Sequence, residues 1–361
     1  MFFRAPVSVS VSASVPVRIM LSALLLVTAN ANAQERFTLT GRDVAIYNLA
    51  GALHITAGTG NATEVEVTRV GSDASQLRVA TGNIGDANTL RVIYPGDEIV
   101  YPDKDGNNSQ TNITVAADGT FGRGGEGRRV RIGSRSRADR DALQAGADIV
   151  MRVPAGVRVL ARLGVGEAEV SNVNGTITVD NSAGSITARG ARGELTLNTA
   201  SGAVEVADVE GDVTVNTASG SVKIENTRGS AVKIDVASGA ITADNVRAPI
   251  VDLETASGGI RARGVEASRV KLNTASGSID ADLTGKIETV DLNTASGSIT
   301  VRVPRDVDAT VELETASGGI DVDFPIKITQ QRRNYMRGTI GAGTARISLS
   351  TASGSVRLGA L

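Results

Sequence analysis

The sequence predicts an all-β fold, a parallel β-solenoid (β-helix), for nearly the whole chain after its N-terminus. The main observation is a repeat: Leu-Asn-Thr-Ala-Ser-Gly-Ser-Ile occurs at 272–279 and, letter for letter, at 292–299. Most close copies recur every 18 to 21 residues or so. A fixed period near 20 is typical of solenoids, whereas propeller blades need about 40 residues or more.

The second observation is an alternation that changes parity within each repeat. Val290 and Leu292 alternate with polar residues, as in a strand with one buried face. After Gly297 the apolar residues continue at odd numbers, with Ile299 and Val301. The segment between the two strands must therefore be a corner that points the next strand inward. Glycine suits such a corner if its φ is positive.

The third observation is that the true unit is shorter than the visible repeat. Leu197 is followed seven positions later by Val204, and Val206 by Val213. This gives a nine-residue module of strand plus corner, and two modules make a coil of roughly 18–20 residues. One coil buries too little apolar surface to fold alone, so the coils must stack. The predicted structural corners are Gly202, Gly220, Gly239, Gly258, Gly277, Gly297, Gly318 and Gly354.

Outward-facing residues indicate that the coils stack in register. The column three places after each corner glycine mostly alternates in charge, as parallel neighbours require. Asn198 with Asn216, and Asn273 with Asn293, are expected to form short ladders. From coil to coil this column reads Glu205, Lys223, Thr242, Arg261, Asp280, Thr300, Asp321.

The N-terminus, residues 1–33, has the pattern of a secretory signal peptide. Arg4 and Arg18 precede an apolar core at 19–28, and Ala-Asn-Ala at 31–33 matches a cleavage site. The apolar core is too short to be a transmembrane helix, and no transmembrane segment is expected in the mature chain. The pattern predicts export to the periplasm, the cell surface or the medium.

The mature chain divides into four segments by composition. Residues 34–96 are predicted as N-terminal coils of the solenoid, and 97–148 as a Gly/Asn/Arg-rich insertion loop. Residues 149–361 are predicted as the main repeats, interrupted by a second insertion at 324–345.

The first insertion holds the candidate binding residues. Its arginines form either a solvated loop or a loop that binds anions, since guanidinium groups match carboxylate and phosphate. Two formal motifs there carry less weight. Residues 103–108 lack the spacing of a calcium loop, and the glycines at 122–127 lack the βαβ context of a dinucleotide site. The seven arginines are Arg123, Arg128, Arg129, Arg131, Arg135, Arg137 and Arg140.

Composition argues against catalysis and against most cofactors. The chain has no cysteine and one histidine, His54, so thiolate chemistry, a histidine metal site and a serine–histidine triad are not expected. We predict no catalytic, cofactor-binding or metal-binding residues. No aromatic residue occurs between Met151 and Asp323, so stacking of nucleobases, and hence a nucleic-acid partner, is not expected either.

Several motifs resemble a bacterial family of adhesin-like β-strand-repeat proteins, the domain of unknown function DUF4097. They are the Thr-Ala-Ser-Gly corners, Leu-Arg-Val-Ile-Tyr-Pro at 90–95, Val-Pro-Ala-Gly-Val at 153–157, and Gly-Val-Gly-Glu-Ala-Glu-Val at 164–170. The closing stretch from 341 to 354 fits as well. The resemblance covers essentially the whole mature chain. It implies an exported β-helical protein and supplies no catalytic residues.

The leading hypothesis is a non-catalytic envelope or cell-surface scaffold that is adhesive or binds a partner. Candidate partners are an anionic glycan, a lipid headgroup or another envelope protein. One alternative is a polysaccharide-cleaving β-helix enzyme, although the carboxylates are spread along columns and do not pair on one face. Another is an ice- or mineral-binding solenoid, whose binding thread would be Thr199, Thr217, Thr255, Thr274, Thr294 and Thr315.

Overall fold

The computed structural model describes residues 34–101, 111–122, 126–133 and 141–361, so the predicted signal at 1–33 lies outside the described residues. The only helical element within them is a 3-10 turn, Ala74–Gln76. Before the main repeats the strands are β1 (Gln34–Leu39), β2 (Asp43–Ala50), β3 (Leu53–Ala57), β4 (Thr63–Val70), β5 (Arg78–Ile84), β6 (Ala87–Ile93), β7 (Glu98–Val100), β8 (Thr111–Val115), β9 (Arg128–Gly133), β10 (Leu143–Gln144) and β11 (Gly146–Val153).

The repeat region contributes twenty-two further strands. Its first half contains β12 (Val157–Val165), β13 (Ala168–Ser171), β14 (Asn174–Ala183), β15 (Ile186–Arg189), β16 (Arg192–Ser201), β17 (Val204–Ala207), β18 (Val213–Ser219), β19 (Val222–Arg228), β20 (Ala231–Ser238), β21 (Ile241–Arg247) and β22 (Ile250–Ser257). Its second half contains β23 (Ile260–Glu266), β24 (Arg269–Ser276), β25 (Ile279–Thr284), β26 (Thr289–Ser296), β27 (Ile299–Val303), β28 (Ala309–Ser317), β29 (Ile320–Val322), β30 (Lys327–Arg332), β31 (Tyr335–Ile340), β32 (Ala345–Ser353) and β33 (Val356–Ala360).

Consecutive repeat strands alternate between two long sheets, which confirms the predicted β-solenoid. The even strands β14 to β26 are neighbours in a 15-stranded sheet, and the odd strands β13 to β27 are neighbours in a 14-stranded sheet. The chain therefore passes once through each sheet per coil. Neighbouring repeat strands are parallel and in register, so that Leu253 faces Leu272, which faces Leu292.

The core is a set of aliphatic columns between the two sheets. Leu197, Val204, Val206 and Val213 are all buried, as the nine-residue module predicts. Because register is kept from coil to coil, each apolar side chain packs on its counterpart above and below. The core is thus continuous along the stack, which is how coils that are unstable singly become stable together.

The corner between the sheets requires glycine for two reasons, which Gly277 illustrates. Its φ is +154°, a conformation that residues with a Cβ rarely adopt. A Cβ at this position would also lie 2.1 Å from the carbonyl oxygen of Gly258 in the neighbouring coil. The Gly277 N–H meanwhile donates to the Ser296 carbonyl of the coil on the other side, at 2.8 Å. The eight predicted corner glycines all have φ between +140° and +157°.

The second corner of each coil, which the nine-residue module predicts, has in several coils a residue of positive φ six places after the glycine, although no residue was predicted for it. Asp208 and Asn226 occupy it in successive coils with φ of +56° and +49°, which Asn and Asp tolerate better than other side chains. The Asn226 amide donates to Asp208 Oδ1 at 3.0 Å, so this corner also forms a ladder. The signal was present in the sequence as a recurring Asn, Asp or Gly, namely Asn172, Gly190, Asp208, Asn226, Asn245 and Gly264.

The order of coils departs from the order of sequence at both ends of the stack. The C-terminal coil, β32 with β33, inserts between the coil of β26 and β27 and the coil of β28 and β29. Arg357 therefore pairs with Thr300 on one side and Asp321 on the other, so the expected Thr300–Asp321 contact is wrong. The first coil, β2 with β3, is likewise covered on its outer side by β6 and β11.

Antiparallel strands cover most of the edges that the parallel stack leaves open. At the N-terminal end β4 pairs with β11 and β1 pairs with β4, while β5 pairs with β6. At the C-terminal end, β30 and β31 form a hairpin that pairs with β28. Such capping limits edge-to-edge aggregation. The hairpin lies within the second predicted insertion.

The first insertion connects β6 to β11, and its described residues include four strands. Strands β7 to β10 within it form a four-stranded sheet. Ile113 and Ile132 from this sheet lie over Gly164 of β12, where an added Cβ would come within 3.0 Å of both. The Phe121 ring meets Tyr47 edge-on, with centroids 5.8 Å apart. The insertion thus packs against the N-terminal coils of the solenoid.

We expect Gly277→Ala to lower the free energy of unfolding by about 2 kcal/mol or more, because it adds left-handed strain and a backbone clash. Gly319→Ala is the matched control, since Gly319 has no positive φ and open space around its Cβ position. Its effect should stay within about 0.5 kcal/mol. Urea denaturation measures both, and equal midpoints would contradict the role of the corner.

We expect hydrogen exchange to follow the stack and not the sequence. The amides of β32 lie between two coils and should exchange as slowly as those of β24, while the exposed edge strand β30 should exchange fastest. Mass spectrometry of deuterated peptides resolves these segments. Fast exchange in β32 and β33, as for a frayed C-terminus, would show that the inserted coil is wrong.

Candidate functional site

Most charges on the repeat faces are bound to the neighbouring coil. Arg302 Nη2 lies 2.7 Å from Asp280, and its Nε donates to Asp282. This hydrogen bond to Asp282 raises the pKa of Arg302. On the other side, Asp280 lies 3.4 Å from Arg263. The expected columns of opposite charge are therefore ion-pair ladders, and these carboxylates do not converge on a common point.

The asparagine ladders are confirmed. Asn216 donates to Asn198 at 2.8 Å, and Asn293 donates to Asn273 at 3.2 Å. Each of these side-chain hydrogen bonds joins two coils, in addition to the hydrogen bonds between their backbones.

The threonine thread lies inside the solenoid, which corrects the ice- or mineral-binding alternative. Thr274 is 5% exposed and donates from Oγ1 to the Gly258 carbonyl at 2.8 Å. Thr255, Thr294 and Thr315 make the same bond to the corner glycine of the preceding coil in the stack. Thr199 and Thr217 are also buried. A binding thread needs exposed hydroxyls, whereas these are buried and all but that of Thr217 donate to a corner carbonyl.

A shallow groove runs along the outside of the glycine corner. One stretch of it, from Asp235 to Ser350, has a volume of about 780 Å³, and a second stretch, from Asp180 to Asp235, of about 470 Å³. Exposed alanines such as Ala256 and Ala275 line it, beside the asparagine ladder. The groove is also lined by the carboxylates of Asp235, Glu254 and Glu314, of which Glu254 is paired with Lys271.

His54 is paired within its own column. Its Nδ1 lies 3.0 Å from Glu169 Oε2, and both side chains are about half exposed. Glu169 is the parallel neighbour of His54 in β13, so the contact is another link between coils. Within the described ranges, no three His, Asp or Glu side chains are grouped as a metal site would require.

The structure describes three of the seven insertion arginines, and it separates their roles. Arg128 pairs with Asp97 and donates to the Gly96 carbonyl at 2.6 Å. Arg131 pairs with Glu98. Both therefore hold the four-stranded sheet together. Arg129 is exposed and has no ion-pair partner among the described residues. Arg123, Arg135, Arg137 and Arg140 lie outside the described residues.

A cluster of cations at the C-terminal end was missed by the sequence reasoning. The hairpin of β30 and β31 carries Lys327, Arg332, Arg333 and Arg337, and none of them forms an ion pair with a described residue. Every residue of β30 is exposed. The available signal was compositional: residues 324–361 contain six basic residues and no acidic one, in a chain of net charge −2.

No helix in the described part of the chain is both long and apolar enough to cross a membrane.

The family model described as Toastrack DUF4097 matches residues 143–359. No curated protein matches the chain. Among solved structures, a "putative lipid binding protein" from Parabacteroides distasonis is 14% identical, with 90% of this chain and 96% of that one covered at a TM-score of 0.42. A "putative adhesin" from the same organism is 12% identical, with the same coverage and a TM-score of 0.40. A "putative cell adhesion protein" from Clostridium sporogenes is 10% identical, with 91% and 100% covered and a TM-score of 0.18.

We expect Asp280→Lys with Asp282→Lys to destabilise the protein, because both new lysines would face Arg302. Exposed pairs contribute tenths of a kcal/mol to about 1 kcal/mol each, and salt screens them. The loss should therefore shrink at about 1 M salt. Asp86→Lys with Asp306→Lys changes the net charge equally at exposed acids outside the ladders. Thermal melts in low and high salt test this, and a salt-independent loss would indicate packing damage.

Proposed function

This chain belongs to the Toastrack DUF4097 family, and we propose that it is a non-catalytic, exported envelope scaffold that presents an arginine-rich insertion to anionic groups of a partner. The observation that carries the proposal is that charges on the repeat faces and charges in the insertion differ in their pairing. Most charges on the repeat faces are paired between coils, whereas residues 121–140 of the insertion hold seven arginines and only two acids, Glu126 and Asp139.

The scaffold half of the proposal rests on the ladders. Arg302 is fixed by two aspartates, and Lys271 contacts both Asp252 and Glu254. Side chains held in this way stiffen the stack and are already partnered, so a ligand would have to displace them. A rigid body of this kind suits the display of a binding segment, because recognition residues commonly lie on loops positioned by a scaffold.

The recognition half rests on the contacts that hold the described part of the insertion against the solenoid. Arg162 of β12 donates to the Phe121 carbonyl at 2.6 Å, and the Phe121 ring packs on Tyr47. This contact fixes residue 121, just before the glycine-rich stretch at 122–127. Arg128 and Arg131 then anchor β9 through Asp97 and Glu98. The remaining insertion arginines lie within β9 or near these fixed residues in the sequence.

Export is supported by the signal pattern at 1–33. Outside the cytoplasm, phosphate and carboxylate groups are carried by lipid headgroups and acidic glycans. Arginine forks match both groups in geometry.

We expect Gln substitution of the other five insertion arginines to reduce retention on phosphatidylglycerol vesicles and on polygalacturonate, by about fivefold for each arginine that engages an anionic group. Arg128 and Arg131 are kept, so the four-stranded sheet should remain folded. This insertion variant replaces Arg123, Arg129, Arg135, Arg137 and Arg140.

A matched control removes the same charge from exposed arginines elsewhere. Retention of this control should equal that of the wild type. If the insertion variant is retained as well as the control on both supports, the insertion is only a solvated segment and the proposal is wrong. The control replaces Arg42, Arg78, Arg228, Arg261 and Arg305 by Gln.

A further inference from the structure

A straight row of cations and threonines crosses the outer face of the 15-stranded sheet at its C-terminal end. Register places one residue from each of six adjacent strands, β24, β26, β32, β28, β31 and β30, in this row. At about 4.8 Å per strand the row spans about 24 Å. We name it the cationic row; it consists of Arg269, Thr289, Arg346, Thr310, Thr339 and Lys327.

The row faces outward and contains no acid. The next residues along the central strands, among them Val270, Val290 and Ile347, are buried in the core, so the row must lie on the opposite face. Arg269 and Lys327 form no ion pair with any described residue. Arg346 reaches Glu312 only at 3.7 Å and keeps 68% of its side chain exposed.

We propose that the cationic row binds a linear polysaccharide that carries carboxylate groups. Its cations are held at fixed separations of two and three strands, which suits a chain with regularly spaced charges. Guanidinium groups bind carboxylates through bidentate hydrogen bonds. The hydroxyls of Thr289 and Thr339 can donate to and accept from sugar hydroxyls, and that of Thr310, which donates to the Gly343 carbonyl at 3.4 Å, can accept. This site is independent of the insertion at the opposite end.

Protection of the sheet edge explains only part of the row. Lysine on an edge strand discourages aggregation, and Lys327 lies on the edge strand β30. Arg269 and Arg346, however, belong to β24 and β32, which are paired on both sides. No edge there needs protection, so a second explanation is required for these two arginines.

Other anionic partners fit the row less well. A lipid surface would favour an exposed apolar anchor on the same face as the cations. Ile328 is exposed, but it pairs with Gly338 opposite Val311 and so lies on the other face of the sheet from Lys327. A single-stranded nucleic acid would need aromatic rings for stacking, and the row has none. The lack of rings also means that neutral sugars should not bind, because charge would carry the affinity.

The test measures binding to polygalacturonate for a row variant, Arg269→Gln with Arg346→Gln and Lys327→Gln. We expect its Kd to rise about tenfold or more relative to wild type, and wild-type binding to weaken with salt. Arg42→Gln with Arg78→Gln and Arg228→Gln removes equal charge and should leave the Kd unchanged. Arg269→Lys with Arg346→Lys keeps the charge and should weaken binding less than the row variant does, which guards against a folding defect.

The same substitutions are also made in the insertion variant, so that binding there reports the row alone. If the insertion variant still binds polygalacturonate and the row substitutions abolish that binding, the result supports the cationic row. This holds whether or not the insertion itself binds anions. Equal binding by the row variant and its charge control overturns the proposal. So does wild-type binding to neutral dextran, or to phosphatidylglycerol vesicles but not polygalacturonate.

Discussion

The close approach of glycine to glycine at the corner is the constraint on which the rest of the solenoid depends. Each corner N–H donates to the next coil. A Cβ added to a corner glycine would clash with the carbonyl oxygen of the neighbouring corner glycine, which at Gly277 would be only 2.1 Å away. Only a column without side chains allows the coils to approach this closely. That approach sets the register, and register in turn aligns the aliphatic columns, the asparagine ladders and the ion pairs.

The corner also explains why the buried threonines are tolerated. A buried hydroxyl without a partner destabilises a core, whereas one that donates to a carbonyl is nearly neutral. Thr274 and Thr294 each donate to the glycine carbonyl of the neighbouring coil. The threonine hydroxyl and the glycine carbonyl thus serve as each other's hydrogen-bond partner. Thr217 is the exception, because its Oγ1 has no partner among the described residues.

The coil order concentrates departures from the repeat at the two ends of the stack. The first and last coils of the sequence are each covered by strands from elsewhere in the chain. The covering strands are joined to the stack by the two excursions: residues 94–145 between β6 and β11, and residues 323–344 between β29 and β32. Middle coils pair most of their charges above and below. The end coils lack such neighbours, which leaves Lys327 and the exposed hairpin available to other molecules.

By itself, the sequence determined the features that are local and periodic. The nine-residue module predicted the inward residues, the corner glycines and the parallel register, because alternation and spacing depend only on neighbouring positions. The position of β32 and β33 was decided by the tertiary structure, since a long insertion frees a coil from sequence order. The pairing of Arg128 with Asp97 and the inward turn of Thr274 also depend on contacts between distant segments. The cationic row exists only because β24, β32 and β30 are brought into one sheet, and no spacing along the chain records that.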